Sequence, residues 1–238
     1  VASEIAAFGE AGDHSYQLAE RALSNEVITP GKTTLADAAW WLKEQLFKLN
    51  LQSSFGMPSI YVTGPKGIEA TSTDRIIQRG DILMLDWGVG YMGYYTDMKR
   101  MAYVLKEGEK EVPASIQHAF DMALKVRSVV TSTIKPGITA KQNETNVYSA
   151  LQAAGYNRIE FNKPGEDNKT DVIIGCHSVG DWGHGTGPSI AFFNPVQLTY
   201  VVKPTNLLSI ELFAYTPIPE KKKKKLRIPL EDDAIVTE

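Results

Sequence analysis

The chain has 238 residues, 43% of them hydrophobic and 22% charged, with a net charge of -3. That balance describes a globular protein with a sizeable core and without the basic field that nucleic acids need. A single cysteine, Cys176, excludes an internal disulfide and a cysteine-rich zinc site, and no run reaches the roughly 18 apolar residues of a membrane-spanning helix.

The chain starts Val1-Ala-Ser without a methionine and ends at Val236-Thr-Glu238, just after a strand-like stretch. We expect a single domain over residues 1–238, an excised domain or a processed form, and a cytoplasmic location, although ends that look truncated leave room for a missing signal peptide. Residues about 3 to 25 carry apolar positions at helical spacing. Thr34 followed by Asp37 resembles a capping box ahead of Ala38-Ala-Trp40-Trp41 and a helix through Leu49. Strand-like stretches follow at Ile60–Thr63 and across Asp81–Tyr103. A second helical pair is predicted from about Val112 to Thr133 and from about Ala140 to Ala154, stopped by Gly155. From there the chain reads as short strands to its end, and the run Lys221–Lys225 reads as a solvated loop tip.

One motif recurs. Ile28-Thr-Pro30-Gly31-Lys-Thr33 and Ile134-Lys-Pro136-Gly137-Ile-Thr139 each stand between two predicted helices, and strands bearing an acidic pair follow each helix pair. This predicts an α+β fold of two pseudo-symmetric αα-plus-β halves around a curved antiparallel sheet.

Five residues carry the chemistry: Asp86, Asp97, His177, Glu211 and Glu231. Asp86 ends the run Ile82–Leu85, Glu211 follows Leu207–Ile210, and Glu231 follows Ile228–Leu230. Charges this close to a core must be neutralised, and no lysine or arginine is evident for four of the five. In Leu85-Asp-Trp-Gly-Val-Gly90-Tyr-Met-Gly93-Tyr-Tyr-Thr-Asp97, a hairpin tip at Tyr91-Met92 sets Gly90 opposite Gly93 and Asp86 opposite Asp97. Facing Cβ atoms lie about 5 Å apart, so the two carboxylates must share a proton or a cation. Glu211 and Glu231 are equidistant from residue 221 and read as a second facing pair.

Of the four histidines, His14 and His118 lie in predicted helices and read as surface or packing residues. His177 and His184 lie in the glycine-dense Gly175-Cys-His177-Ser-Val-Gly180-Asp-Trp-Gly-His184, where the backbone can approach a ligand closely. Residue types alone do not choose between them. Oxygen-rich ligation with one imidazole suits Mn²⁺, Co²⁺, Zn²⁺ or Fe²⁺. Two such ions activate water and polarise a carbonyl, which is the chemistry of metal-assisted hydrolysis of an amide or a related ester.

With these motifs in place the chain resembles the pita-bread metallopeptidases: methionine aminopeptidase, aminopeptidase P, prolidase and their metal-free relative creatinase. The matching elements are Asp86-x-Gly88-x-x-Tyr91-x-Gly93-Tyr94-x-x-Asp97-x-x-Arg100, His177-x-x-Gly180-x-x-x-His184, Ser209-Ile-Glu211, and Glu231-Asp232-x-x-x-Val236-Thr237. The resemblance implies that Asp86, Asp97, His177, Glu211 and Glu231 ligate two divalent ions, Mn²⁺ in the first place with Co²⁺, Zn²⁺ or Fe²⁺ as alternatives. It also implies that Asp97 and Glu231 bridge them, that Glu211 helps activate a water, and that His184 contacts substrate near the scissile carbonyl.

The tyrosine-rich form of the first motif is closer to the proline-directed branch, so the expected substrates are short peptides with proline in second position, cleaved by an Xaa-Pro aminopeptidase or dipeptidase. That branch usually carries an amino-terminal domain and is often dimeric. The alternatives are a methionine aminopeptidase-like enzyme, a hydrolase of a nonpeptide amide, and a non-catalytic binding module on the same fold.

Three departures stand out. The histidine that the family places shortly before the first aspartate is absent, and the count falls on Glu69 or its neighbours Ile68 and Ala70, so Glu69 is the candidate stand-in. Lys99 replaces a usual threonine and Leu212 a usual proline, and neither is expected to touch a ligand.

Overall fold

In the computed structural model, which describes residues 2–64, 67–180, 184–219 and 224–237, the first helix is α1 (Ala2–Ala22). It buries Phe8, Ala11, Ser15, Leu18, Ala19 and Ala22, spaced three and four apart as one face of a helix requires. Helix α2 (Leu35–Lys48) starts as expected: the Thr34 side chain accepts from the Asp37 amide while the Asp37 carboxylate accepts from the Thr34 amide. The chain divides into two compact units. The first takes Val1–Gly64, Ile68–Val112 and Val179–His184, and the second takes Pro65–Gly67, Pro113–Ser178 and Gly185–Glu238.

The first unit adds to α1 and α2 the strands β1 (Gln52–Ser53), β2 (Ser59–Gly64), β3 (Gly67–Ala70, of which all but Gly67 belongs to this unit), β4 (Ile82–Trp87), β5 (Val89–Tyr91), β6 (Tyr94–Tyr95) and β7 (Met98–Tyr103). They form sheets ordered β1-β5-β6 and β3-β2-β4-β7. Leu83, Leu85 and Trp87 of β4 are fully buried in a core with Leu35, Leu42 and Ile77. Strand alternation therefore turns Met84 and Asp86 to the other face of the sheet.

The hairpin joining β4–β5 to β6–β7 corrects one expectation. Its two-residue tip is Met92-Gly93, both with positive φ (51° and 83°), the conformation whose twist matches the flanking strands. Tyr91 pairs with Tyr94, and the same register makes Lys99, not Asp97, the cross-strand partner of Asp86. Asp97 falls opposite Gly88, so the two aspartates are diagonal neighbours on one face rather than directly opposed. Gly88 is required there, since a Cβ would stand 1.8 Å from the Thr96 carbonyl oxygen.

The second unit contains α3 (Ala114–Thr133), α4 (Ala140–Ala153), β8 (Asn157–Arg158), β9 (Asp171–Ser178), β10 (Ser189–Ala191), β11 (Leu207–Ser209), β12 (Leu212–Pro217), β13 (Lys225–Leu230) and β14 (Asp233–Ile235). The path β13-β12-β9-β11-β14 is antiparallel, with β10 antiparallel and β8 parallel to β9.

The repeated motif does the same work in each unit. Gly31 (φ 79°) and Gly137 (φ 83°) take left-handed conformations, and their amides donate to Ile77 and Val202 carbonyls, 2.8 Å in both cases. The second helix of each pair then begins at a threonine capping box, Thr34 with Asp37 and Thr139 with Gln142. The first copy has one extra residue, so Thr34 rather than Thr33 is the counterpart of Thr139.

The lysine run is not a uniformly solvated tip. Lys221–Lys223 lie outside the described residues, but Lys225 is buried, with its Nζ 2.7 Å from Asp171 Oδ2 and 2.9 Å from Asp167 Oδ1. Asp167 is held down to about 2 by the hydrogen bond from Lys225, with Asn157 and the Lys169 amide adding to it. Among the described residues no helix is long and apolar enough to cross a membrane.

Candidate metal centre

In the second unit, β11 and β12 run as one line between β9 and the pair β13–β14. Leu212 pairs with Ile174 and Leu230, while Ser209 pairs with His177 and Asp233. Between these rungs, Glu211 faces Gly175 on one side and Glu231 on the other, and the Gly175 amide donates to the Glu211 carbonyl at 2.9 Å. The facing of Glu211 and Glu231 expected from residue counting is therefore present. His177 stands one rung along and on the same face, because it is two residues from Gly175.

That register brings three ligand-type side chains together. One atom from each of His177, Glu211 and Glu231 lies within 4.8 Å of the other two. His177 Nε2 is 3.3 Å from Glu231 Oε1, and the Ser209 hydroxyl, across from His177, donates to the same oxygen at 2.5 Å. Glu231 is only 1% exposed. The space holding the Glu211 carboxylate is left by Gly175, where a Cβ would stand 2.4 Å from Glu211 Oε2.

The other imidazole nitrogen, Nδ1, lies 3.2 Å from the Ser178 carbonyl oxygen. A carbonyl only accepts, so Nδ1 carries a proton and the neutral ring presents its lone pair from Nε2. Burial opposes charge on His177, but the Glu231 and Glu211 carboxylates overcome it and raise the imidazole above its ordinary value. Cys176, between Gly175 and His177, is fully buried, and burial together with both glutamates pushes its thiol well up. It is not a nucleophile at neutral pH.

In the first unit, carboxylate oxygens of Asp86 and Asp97 lie within 4.8 Å of one another. Asp97 is 2% exposed, and its Oδ2 is 3.5 Å from His184 Nε2. The His184 side chain is 65% exposed and packs at a tilt against Phe55, ring centres 6.0 Å apart. The signature's two histidines thus belong to different units, and Asp181, Trp182 and Gly183 between them lie outside the described residues.

Lys99 overturns an expectation. It is 6% exposed, and its Nζ lies 3.3 Å from Asp86 Oδ2. A basic residue therefore does meet a candidate ligand, and the departure at Lys99 is not remote from the site. Sequence reasoning named Ser209 only as part of a motif and missed its hydrogen bond to Glu231. Both would have been found with the right registers, since Lys99 follows from a tip at Met92-Gly93 and Ser209 lies two residues before Glu211 on the same face. Leu212 is fully buried among β-strand neighbours, as a core residue should be. Glu69 lies exposed on β3, with its carboxylate over Gly64, where a Cβ would be 2.0 Å from Oε1. His14 lies 3.8 Å from Glu10 on α1, and His118 is exposed on α3; neither belongs to a cluster of candidate ligands among the described residues.

The donor chemistry fits hard divalent cations. In the second unit a nearly buried carboxylate (Glu231), another in a glycine-made recess (Glu211) and an imidazole with a defined tautomer (His177) are what such ions require. A family model describing metallopeptidase family M24 matches residues 6–238.

The chain belongs to metallopeptidase family M24.

Among relatives of this M24 chain, the Xaa-Pro dipeptidase of Pyrococcus furiosus is 26% identical over 221 residues, covering 90% of the chain and 53% of the relative. The chain thus spans about half the length of that relative. Among solved structures, the X-Pro aminopeptidase from Thermotoga maritima MSB8 superposes with a TM-score of 0.71 at 19% identity, covering 100% of this chain and 59% of that one. Methionine aminopeptidase from Thermotoga maritima gives a TM-score of 0.68 at 19% identity, covering 100% and 94%. At these identities the superpositions speak to the fold, and the M24 chain has the pita-bread fold.

Proposed function

We propose that this M24 chain is the catalytic part of a dinuclear peptidase that hydrolyses Xaa-Pro bonds in short peptides. The observation that carries the reading is the row in which Glu211 faces Glu231 while His177 Nε2 reaches Glu231 at 3.3 Å. The proline preference draws on the Tyr91-x-Gly93-Tyr94 form of the first motif and on relatives named as Xaa-Pro dipeptidases. Asp86, Asp97, His177, Glu211 and Glu231 are the residues that would hold two divalent ions, Mn²⁺ foremost.

Bound there, the ions would supply Lewis acidity and a water acidic enough to lose its proton near neutral pH. The chain's own groups do the rest. Glu211, whose carboxylate occupies the space left by Gly175, accepts the proton of the attacking water. His184, largely exposed and oriented by Asp97, donates a hydrogen bond to the scissile carbonyl. Glu69 takes the substrate-side position of the absent family histidine. His177, its tautomer set by the Ser178 carbonyl, stays a ligand throughout.

Purified protein with added Mn²⁺ or Co²⁺ should cleave Xaa-Pro dipeptides or the first bond of Xaa-Pro-Yaa peptides, and Asp97→Ala should remove that activity. Loss should exceed the roughly 100-fold seen when residues that merely support a ligand are changed. Cleavage of Met-Ala peptides with Xaa-Pro peptides untouched would sink the proline assignment. A protein that binds no divalent ion would point to the binding-module alternative.

A further inference from the structure

We infer that Asn194 and Gln197, in the loop between β10 and β11, are positioning residues for His177. Each ends a line of hydrogen bonds that fixes the backbone carbonyl of one neighbour of that imidazole. This rests on the reading of His177 as a metal ligand and deepens it. The line from Gln197 runs through Gly185. Gln197 Nε2 donates to the Gly185 carbonyl at 3.0 Å, and the Gly185 amide donates to the Ser178 carbonyl at 2.6 Å. That carbonyl oxygen is the one 3.2 Å from His177 Nδ1. The line from Asn194 runs through Ser189, the cross-strand partner of His177. Asn194 Nδ2 donates to Ser189 Oγ at 2.9 Å, and this buried hydroxyl donates to the Cys176 carbonyl at 3.3 Å. All of these residues belong to the second unit.

The loop that carries the two amides is itself anchored. Its Tyr200 carbonyl accepts from the Ala140 amide at 2.8 Å, and the Val202 carbonyl accepts from the amide of Gly137, in the repeated turn, at 2.8 Å. Asn194 and Gln197 are half-buried, while Phe193 and Val196 beside them are 49% and 65% exposed. A surface loop ordinarily turns polar side chains outward. Here the polar ones turn in, and the two hydrogen-bond lines are what they meet. Groups behind a metal ligand fix its ring orientation and tautomer. Without the Gln197 donor the Gly185 peptide can rotate, and with it the contact to the carbonyl that faces Nδ1. Without Asn194 the Ser189 hydroxyl can turn away from Cys176.

The test uses the full chain: calorimetric titration with Mn²⁺, visible absorption with Co²⁺, and the His177 ring resonances of the ion-free protein by NMR, assigned through His177→Gln. Gln197→Met keeps the side-chain length and removes the donor, and Asn194→Ala breaks the other line. Each should weaken Mn²⁺ binding about 10- to 100-fold, the range for groups behind a metal ligand, alter the Co²⁺ spectrum and shift the His177 ring resonances. Thr199→Val is the control. It removes a hydrogen bond of the same loop, Thr199 Oγ1 to the Val196 carbonyl at 2.7 Å, that belongs to neither line, and all three readings should stay at their wild-type values. Equal changes in Thr199→Val would reduce Asn194 and Gln197 to loop structure and overturn the inference. Wild-type affinity and resonances in both Gln197→Met and Asn194→Ala would overturn it as well. If the wild type binds no divalent ion, the dinuclear reading fails, and the His177 resonances alone decide the positioning. If one variant does not fold, the other decides, because the two lines are separate.

Discussion

Glu211 stands directly across from Glu231 on neighbouring antiparallel strands, bracketed by the pairs Ser209–Asp233 and Leu212–Leu230. Two carboxylates in that relation repel unless a cation is shared, and like charges facing across a sheet destabilise by up to about 1 kcal/mol. At a pH where the His177 ring is neutral, Glu211→Gln should therefore leave the ion-free protein equally stable or more stable by that amount. With Mn²⁺ at about 100 times its Kd, the wild type should gain about 2.7 kcal/mol and the variant much less. Urea unfolding with chelator and with Mn²⁺ checks both halves, and a variant that unfolds earlier in chelator would contradict the account of repulsion.

His177 sets a pH dependence for the same ion-free protein. Its folded-state pKa is raised above the ordinary 6.5, so the folded protein binds the proton more tightly than the unfolded chain. The stability this contributes is fully present below about 6.5 and is lost as pH rises through the raised value. Divalent ions need the neutral ring, so added Mn²⁺ should stabilise more as pH rises over that interval. Melting temperatures across roughly pH 5 to 8.5, with chelator and with Mn²⁺, should show opposite slopes. His177→Gln should flatten both.

Gly175 tests whether the Glu211 recess matters to ion binding. The atom that a Cβ would strike is the end of a movable side chain, Glu211 Oε2 at 2.4 Å. Gly175→Ala should fold with stability changed by less than about 1 kcal/mol, yet bind Mn²⁺ about 10- to 100-fold more weakly as the carboxylate is displaced. Circular dichroism with ion titration separates the two effects. Unchanged Mn²⁺ affinity would mean the recess is incidental.

Lys225 provides the stability counterpart. Its side chain and that of Asp171 are 1% and 0% exposed, with 2.7 Å between Nζ and Oδ2. Removing one partner of such a pair strands the other charge in the interior, at a cost of about 3 to 5 kcal/mol. Lys225→Ala should lose that much in equilibrium unfolding. A loss under about 1 kcal/mol would show that water reaches Asp171 in the variant.

What the linear sequence settled were features with a local cause. Thr34–Asp37 announces a helix start because a cap needs only residues three apart. Glycines after prolines mark left-handed turns in both halves. The ligand types and the order in which they occur are likewise plain, and they carry the resemblance to the M24 enzymes. Even the Glu211–Glu231 pairing was legible, since the strands on either side of residue 221 share one uninterrupted register.

Tertiary structure decided the rest. Gly90-Tyr-Met-Gly93 accommodates two hairpin tips, and the one formed puts non-glycine Met92 at φ 51°, a choice made by strand twist and packing rather than by residue type. That two-residue difference sets Lys99 against Asp86 and moves Asp97 to the diagonal. Lys225 reads as one more charge in a polar run until β12 and β13 carry it over Asp171. The sequence by itself determined which chemical groups this protein has for holding cations. Only the folded strands decided which group meets which, because a side chain's neighbours depend on register, and register is a property of paired strands.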